Sequence, residues 1–326
     1  MLHTVAKLHY LEEMSQVDIA RQLGVSTATI SRLLQRARAE GIVRIEVLDL
    51  ATPEDITRQL IDGLKLRDAA VVETPAAGTL AALAAPLGGL LRQAQLVAGS
   101  VVAIGWGRAV REVIRAGLPR IPGVLTVAAT GGMQQHAAHF QVNEFVRLAA
   151  EEFGGAPHFI HAPYLPSTEL RDVFLRDVAI RDAVALWEKT DIAIVGIGLP
   201  HAINAPEASA ATPSEQALVH AAGDVLRHYF DVEGQPIAWE GESRMIAMSP
   251  AQLRAVPQVI GLAASPEKAT AIIGAARAGL INTLVTDTKT AQAILATLAQ
   301  RQDRQDIGGG MEPAAKTSCV AERRGQ

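Results

Sequence analysis

Apolar residues near the start of the chain recur with helical spacing in three short segments. Residues 2–13, 15–23 and 26–40 each place apolar side chains three or four positions apart, which predicts three amphipathic helices. Gly24 is expected to end the second helix because glycine readily adopts the left-handed conformation, and the hydroxyl of Ser26 or Thr27 is expected to cap the third. The predicted apolar faces comprise Val5, Leu8 and Leu11, then Val17, Ile19, Ala20 and Leu23, then Ile30, Leu33 and Leu34.

The third helix is predicted to turn a polar face outward, and that face favours binding to double-stranded DNA. Hydroxyl, amide and guanidinium groups can reach base edges in the major groove or hold phosphates. The side chains expected to contact DNA are Ser26, Thr27, Thr29, Ser31, Arg32, Gln35 and Arg36. After Gly41, residues 42–47 alternate well enough to form a short strand, so residues 1–50 are predicted to be a winged helix-turn-helix domain. A helical hairpin that merely packs is the alternative.

The pattern changes after residue 50. Thr52 and Pro53 open a helix that runs to about Leu64, and residues 51–66 are interpreted as a connector. Strands are predicted at 69–73, 101–104, 124–129, 158–162, 191–197, 259–263 and 282–287. Helices are predicted at 77–95, 108–116, 141–153, 178–189, 214–222, 266–278 and 288–300. Continuous apolar strands separated by helices predict a doubly wound parallel α/β sheet over residues 67–301. The polar residues 302–326 are expected to be disordered.

Composition narrows the class of protein. The net charge is −4 and hydrophobic residues make up 49% of the 326 positions, so DNA binding would be local to the third helix. The single cysteine, Cys319, permits no intramolecular disulfide and fits a reducing compartment. No leader pattern and no uninterrupted apolar run of about 18 residues is present. A cytoplasmic protein without membrane contact is therefore expected.

Candidate binding loops follow four of the predicted strands, at residues 105–108, 130–132, 196–198 and 286–288, and the first three of them contain glycines. In open α/β sheets such loops meet beyond the carboxyl ends of the strands, where helix N-termini favour anions. An anionic small-molecule site is therefore expected, although glycines at strand ends also serve packing alone. Neither G-x-G loop has the third glycine of a dinucleotide fingerprint, and the chain contains no P-loop.

Two other candidate ligand contacts stay ambiguous in the sequence. His136 and His139 have metal-ligand spacing, but no cysteine or third histidine accompanies them, so surface histidines are favoured and no metal or cofactor is expected. Trp106 is suited either to stacking on a sugar or to filling the core.

The chain resembles the SorC family of bacterial sugar-binding transcriptional regulators, a group sometimes filed with DeoR. The resemblance runs from about Leu8 to Leu298. It is carried by HYLEEMSQVDIARQLGVSTATISRLLQRARAEGIVRI, IGWGRAV, ATGGM, DIAIVGIG, AAGDVLRHYFDVEGQPI and EKATAIIGAARAGLINTLVTDTKTA. It implies a winged helix-turn-helix joined to an effector domain similar to phosphosugar isomerases of the NagB/RpiA type. It also implies a homo-oligomer, commonly a tetramer, and a sugar, polyol or sugar phosphate as effector.

The resemblance also implies roles for individual residues. The phosphate end of the effector is expected at Gly107, Arg108, Thr130, Gly131 and Gly132, with Lys268 as a second cation. Gln141, Asn143 and Asp224 are expected to hydrogen-bond hydroxyls. Together with the strand-end loops, the expected effector contacts are Gly105, Trp106, Gly107, Arg108, Thr130, Gly131, Gly132, Gln141, Asn143, Asp224, Lys268 and Asp287. Two departures from the family pattern, Ala109 and the run Ala263-Ala264-Ser265, leave an unphosphorylated polyol open as the effector.

The sequence thus predicts a DNA-binding regulator of a carbohydrate or polyol utilisation operon that is controlled by a small effector and is not an enzyme. The alternative is a phosphosugar isomerase-like enzyme with an appended DNA-binding head. The acid–base candidates for such an enzyme are Asp191, Asp224, Asp287 and His220. No distinctive catalytic signature supports that alternative.

Overall fold

A computed structural model describes residues 1–43, 53–133, 138–199 and 211–308, with side chains for all of these except 138 and 302–308. The chain divides into two compact units, Met1–Leu50 and Ala51–Gln326.

The first unit contains three helices, α1 (Leu2–Tyr10), α2 (Gln16–Leu23) and α3 (Thr27–Ala39). Gly24 ends α2 in the left-handed conformation, with φ of 65°. Ser26 caps α3 by accepting a hydrogen bond from the Thr29 amide at 3.1 Å. The predicted helix end and the predicted cap are both confirmed.

The apolar faces of these helices differ from the prediction at two positions. The shared core consists of Val5, Leu8, Ile19, Ala20, Ile30 and Leu34, with Leu23 and Leu33 packed partly against it. Leu11 is 74% exposed because α1 has already ended at Tyr10, and Val17 is 55% exposed on the outward side of the first turn of α2. The predicted wing strand lies mostly outside the described residues.

The second unit is built on a seven-stranded parallel sheet, which confirms the predicted class. Its strands are β1 (Asp68–Val72), β2 (Val101–Ile104), β3 (Leu125–Ala128), β4 (Ala156–His158), β5 (Thr190–Gly196), β9 (Gln258–Leu262) and β10 (Thr283–Asp287). The spatial order is β1-β10-β9-β5-β2-β3-β4. The order reverses between β2 and β5, because the chain after β2 proceeds toward one edge and after β5 toward the other.

Helices occupy segments between these strands, and several of them contribute side chains to the core of the sheet. They are α4 (Pro53–Leu64), α5 (Thr79–Ala82), α6 (Ala84–Gln93), α7 (Arg108–Ala116), α8 (Val142–Phe153), α9 (Thr168–Arg176), α10 (Val178–Ala185), α11 (Pro213–Gln216), α12 (Pro250–Ala255), α13 (Ala269–Arg277) and α14 (Thr288–Gly308). A small antiparallel sheet is formed by β6 (Gly223–Val225), β7 (His228–Phe230) and β8 (Pro236–Ile237).

Several elements correct the sequence prediction. The supposed connector α4 belongs to the second unit, since its buried Ile56, Leu60 and Leu64 lie in that unit's core. The predicted helix at 214–222 ends at Gln216, and β6–β8, α9 and α12 were not predicted. α14 continues to Gly308 because no helix breaker occurs between residues 301 and 307, so the segment expected to be disordered is helical at its start.

The fourth strand also begins earlier than predicted, at Ala156 instead of His158. The Ala156 amide pairs with the Val124 carbonyl, whereas the side-chain amide of Asn143 bonds both backbone groups of Ile160. Residue 160 therefore satisfies its backbone outside the strand ladder.

Candidate functional sites

A cavity of about 630 Å³ opens at the carboxyl ends of β2, β5, β9 and β10. It lies where the strand order reverses, which is the usual ligand position in open α/β sheets. Its described lining comprises Thr74, Thr79, Leu80, Trp106, Gly107, Arg108, Ala109, His139, Phe140, Gly196, Ile197, Gly198, Leu199, Asp224, Leu226, Arg227, Leu262, Ala264, Ser265, Pro266, Glu267, Lys268, Asp287 and Lys289.

The loop between β2 and α7 brings a helix N-terminus to this cavity. Gly107 has φ of 128° and donates its amide to the His139 carbonyl, and α7 starts at the next residue, Arg108. The exposed Arg108 side chain forms no hydrogen bond or ion pair with any residue the structure describes. The positive end of the α7 dipole and a cation thus face the same space.

Lys268 supplies a second cation from the 3₁₀ turn that follows β9. Its ammonium donates a hydrogen bond to the Ile197 carbonyl at 2.5 Å. Burial, reinforced by the nearby Arg108 charge and opposed by Asp224, lowers the pKa of Lys268 to about 8. An anion between Arg108 and Lys268 would offset both the cost of burying the ammonium charge and its repulsion by Arg108.

A hairpin formed by β6 and β7 places Asp224 at the cavity. Asp224 accepts a hydrogen bond from the Gly198 amide through its backbone carbonyl at 2.9 Å, and its carboxylate accepts one from the Arg227 amide at 3.0 Å. Gly198 must be glycine here, because a Cβ atom would lie 1.9 Å from Oδ1 of Asp224. The second carboxylate oxygen is positioned to accept a hydroxyl.

Six of the twelve expected effector residues lie outside the cavity lining: Gly105, at the end of β2, and five residues of two other segments, Thr130, Gly131, Gly132, Gln141 and Asn143. Thr130 and Gly131 both donate to the Ile246 carbonyl, and Gly132 donates to the Ala162 carbonyl. Asn143 is engaged with Ile160, and Gln141 lies beside Arg111 in a different surface groove. These residues extend β3 and brace α8, so their expected contacts with the effector have no support in the structure.

Gly105 and Asp287 also differ from the prediction in what they contact. Gly105 lies beneath the cavity, where its amide bonds the Ile194 carbonyl. Asp287 lines the cavity, but its Oδ1 accepts from the Thr74 hydroxyl and the Thr290 amide, and its Oδ2 accepts from the Thr290 hydroxyl. Its principal role in the structure is to cap α14.

Sequence reasoning missed several residues of the lining. Arg227, His139, Thr74 and Lys289 reach the cavity from segments without a glycine-rich loop. Burial and the charges of Arg108 and Arg111 lower the pKa of His139, which favours the neutral form of its ring. Within the described ranges no cluster of three histidine, cysteine or acidic residues could hold a metal ion, and His136 lies outside those ranges.

The four candidate acid–base groups do not come together. Asp224 and Asp287 line the cavity, but Asp191 accepts the Val101 amide at the amino end of the sheet. His220 is exposed and does not contribute to the lining.

The outward face of α3 carries the seven residues expected to contact DNA. All are exposed except Thr29, which is half-buried. The Ser26 and Thr29 hydroxyls lie 2.8 Å apart, and Arg36 Nε contacts Glu40 at 2.6 Å. The Arg32 side chain forms no hydrogen bond or ion pair within the described part of the chain.

Comparisons with known proteins agree with this division of the chain. Residues 49–296 match the family model described as "Putative sugar-binding domain", and residues 7–40 match the model of sigma-70 region 4. The sorbitol operon regulator of Klebsiella pneumoniae is 30% identical over 89% of this chain and 96% of its own length. The deoxyribonucleoside regulator of Bacillus subtilis is 26% identical over 89% and 95%.

Solved structures of sorbitol operon regulators are also similar to this chain. The full-length sorbitol operon regulator SorC from K. pneumoniae superposes with a TM-score of 0.68, 30% identity and coverage of 90% of this chain and 98% of that one. The probable sor operon regulator from Shigella flexneri gives a TM-score of 0.68 at 28% identity, with coverage of 74% and 99%. Among the described residues no helix is long and apolar enough to cross a membrane.

Proposed function

The chain belongs to the SorC family of sugar-binding transcriptional regulators, and from that premise we propose that a phosphorylated sugar or polyol binds in the cavity at the carboxyl ends of β2, β5, β9 and β10. The protein is a sugar-responsive, DNA-binding regulator of an operon. The phosphate is the part of the effector that this proposal adds.

The convergence of Arg108 and Lys268 carries the proposal. Within the described residues no carboxylate forms a hydrogen bond or ion pair with Arg108 or Lys268. Two cations that meet in this way at a helix N-terminus form an unfavourable arrangement until an anion enters. A neutral polyol would leave that repulsion in place. A phosphate group accepts charge-assisted hydrogen bonds from both side chains.

The carbon chain of the effector would then extend toward the β6–β7 hairpin. Asp224 presents a carboxylate there, 7% exposed, that is suited to accepting a hydroxyl. Trp106 offers an apolar ring along the same lining. This arrangement assigns the phosphate to Arg108 and Lys268, and hydroxyl recognition to Asp224.

Calorimetric titration of matched pairs tests the proposal. D-sorbitol 6-phosphate should bind at least tenfold more tightly than D-sorbitol, since hydrogen bonds to charged groups contribute about 1.5–3 kcal/mol. Lys268→Met and Arg108→Ala should each remove most of that difference. Equal affinities within every polyol–phosphate pair of a hexitol and pentitol panel would contradict a phosphate site.

The matched control is Lys189→Ala. Lys189 is an exposed lysine that directly precedes β5, at the opposite end of the sheet. Its loss changes the net charge by the same amount and should alter effector affinity less than twofold. A comparable loss in this variant would indicate a general charge effect.

The residues of α3 are proposed to contact an operator through its major groove, as a dimer or higher oligomer such as a tetramer. One helix of this length reads few base pairs, and the net charge of −4 gives little long-range attraction for DNA. The effector would shift the oligomer between arrangements that bind the operator with different affinity. Footprinting should show two half-sites, and one protomer bound at saturation would contradict an oligomer.

The effector is further proposed to be bound and released unchanged in the cytoplasm. The separation of Asp191 and His220 from the cavity supports this role. Incubation of the protein with pentose and hexose phosphates, followed by chromatography, should recover each compound intact.

A further inference from the structure

The indole ring of Trp106 is packed against three neighbours. The guanidinium carbon of Arg227 lies 5.9 Å from the ring centre, within the range of a cation–π contact. The rings of Tyr164 and Phe140 meet the indole edge to face, at 5.3 and 6.2 Å. Since Trp106 lines the cavity, these neighbours define the position of one cavity wall.

One buried carboxylate contacts two of these three neighbours. Oε1 of Glu215 lies 3.6 Å from Nη1 of Arg227, and Oε2 accepts a hydrogen bond from the Tyr164 hydroxyl at 3.4 Å. Burial and the Glu215 charge raise the pKa of Tyr164 to about 12, so its hydroxyl stays a donor. Glu215 is 1% exposed and does not itself line the cavity.

This arrangement carries two energetic costs. Burying Glu215 and Arg227 removes both charges from water, and buried pairs rarely stabilise a fold more than apolar residues of the same shape. The two-residue turn between β6 and β7 also holds Leu226 and Arg227 at φ of 52° and 67°, a conformation usually occupied by Asn-Gly. Both costs are incurred where Arg227 is placed over Trp106.

We propose that Glu215 is a positioning residue for effector discrimination. Through Arg227 and Tyr164 it fixes the Trp106 indole and hence the width of the cavity around the carbon chain of the effector. The phosphate is held separately by Arg108 and Lys268. The effect on effector discrimination rests on the proposed function, because it needs the proposed ligand. The structural half of the assignment, that Glu215 fixes the position of Trp106, does not depend on any ligand.

The structural half is tested without any ligand. Full-length protein labelled with 5-fluorotryptophan should give resonances for Trp106, Trp187 and Trp239 in ¹⁹F NMR, with Trp106 assigned by its loss in Trp106→Phe. Glu215→Gln keeps an acceptor for the Thr212 amide but removes one of the two carboxylate charges that act on Arg227, the other being that of Asp224. The Trp106 resonance should shift or broaden while that of Trp187 stays unchanged. An unchanged Trp106 resonance would overturn the proposal.

The functional half compares D-sorbitol 6-phosphate, D-mannitol 6-phosphate and inorganic phosphate by calorimetry. The ratio of the two hexitol phosphate affinities should fall at least fivefold in Glu215→Gln, with the affinity for inorganic phosphate changed less than twofold. A preserved ratio, or a wild type that binds both stereoisomers equally, would refute discrimination through Glu215. If the wild type binds none of the probes, the proposed function fails, and the fluorine spectra still decide the role of Glu215.

Two further variants complete the test. Arg227→Lys keeps the charge but not the planar guanidinium over Trp106, so it should reproduce both effects, and it replaces Glu215→Gln if that variant does not fold. Glu242→Gln is the matched control, because Glu242 contacts His228 of the same hairpin at 3.3 Å and neither Arg227 nor Tyr164. A Trp106 shift in Glu242→Gln equal to that in Glu215→Gln would mean a general disturbance of the hairpin and would overturn the specific role.

Discussion

The outward face of α3 and the cavity of the second unit are built in opposite ways. The α3 face comes from one continuous segment, residues 26–36, and its polar side chains are largely exposed. The cavity draws its lining from segments between residues 74 and 289, and several of its charged groups are buried.

This difference in exposure determines whether a polar side chain is available to bind a ligand. A ligand that binds an exposed side chain has to displace only water or a neighbour on the same helix. Local spacing therefore indicates whether that side chain is available to a ligand. A buried polar group is nearly always satisfied by another protein group, and that partner can be distant in sequence. Asp224 and Asp287 both line the cavity, yet Thr74 and Thr290 occupy both carboxylate oxygens of Asp287.

The largest effect is expected from adding one methyl group at the cavity. In Gly198→Ala the new Cβ would lie 1.9 Å from Oδ1 of Asp224, so the hairpin must move. Such overpacking costs about 1–3 kcal/mol or more, and effector affinity should fall on the order of 100-fold. Calorimetry with D-sorbitol 6-phosphate measures the change.

Gly132→Ala is the control for that substitution. Gly132 was expected to contact the effector, but an added Cβ there meets no described atom within 4 Å, and the residue lies outside the cavity lining. Its affinity should change less than threefold. A large loss in Gly132→Ala would return this glycine to the binding site.

A smaller effect is expected on the α3 face, where two arginines differ in their partners. Arg32 is unengaged by the described residues, whereas Arg36 contacts Glu40 at 2.6 Å. Arg32→Ala should weaken operator binding about tenfold or more if it reads a base, since such contacts contribute about 1–3 kcal/mol. Arg36→Ala should cost less, because Arg36 must leave Glu40 before it can bind DNA. Gel-shift titration across salt concentrations measures both, and a larger loss at Arg36 would contradict this order.

The effector site should also respond to pH, whereas the arginine contacts of α3 should not between pH 6 and 9. The pKa of Lys268 is about 8 in the free protein, and a bound phosphate favours the charged form. Affinity should therefore be full below pH 8 and fall by up to about tenfold per pH unit above it. Below about pH 6 the phosphate itself gains a proton, which weakens binding on the acidic side.

Calorimetry at a series of pH values checks this profile. Lys268→Met should remove the alkaline decline and keep the acidic one. An alkaline decline that persists in this variant would assign the titration to another group.

Sequence patterns predicted the elements whose signals are local. The strand positions of β2, β5 and β9, the end of α2 at Gly24 and the cap at Ser26 all follow from residues within one or two turns. The parallel class follows from the continuous apolar strands.

The differences between the expected site residues and the cavity lining have a common physical cause. Asn143 has the polarity of a sugar ligand, but its amide bonds the backbone of Ile160, 17 residues away. Thr130 bonds Ile246, across more than 100 residues. Arg227 gave no local signal either, because its place in the cavity depends on the β6–β7 turn and on Glu215. Such long-range partners are set by the tertiary fold and leave no periodicity in the sequence.

The smallest effect is expected from the two serine caps of the first unit, whose substitution distinguishes a loss of stability from a loss of DNA recognition. Ser15 and Ser26 cap α2 and α3 with the same geometry, each accepting an amide hydrogen bond at 3.1 Å. Ser15→Ala and Ser26→Ala should each lower the free energy of unfolding by about 1 kcal/mol, the usual loss for an N-cap. Only Ser26→Ala should also weaken operator binding, because Ser26 begins the helix proposed to enter the groove. Thermal unfolding and gel-shift titration of the two variants make the comparison, and equal losses of operator affinity would show that the cap acts through folding alone.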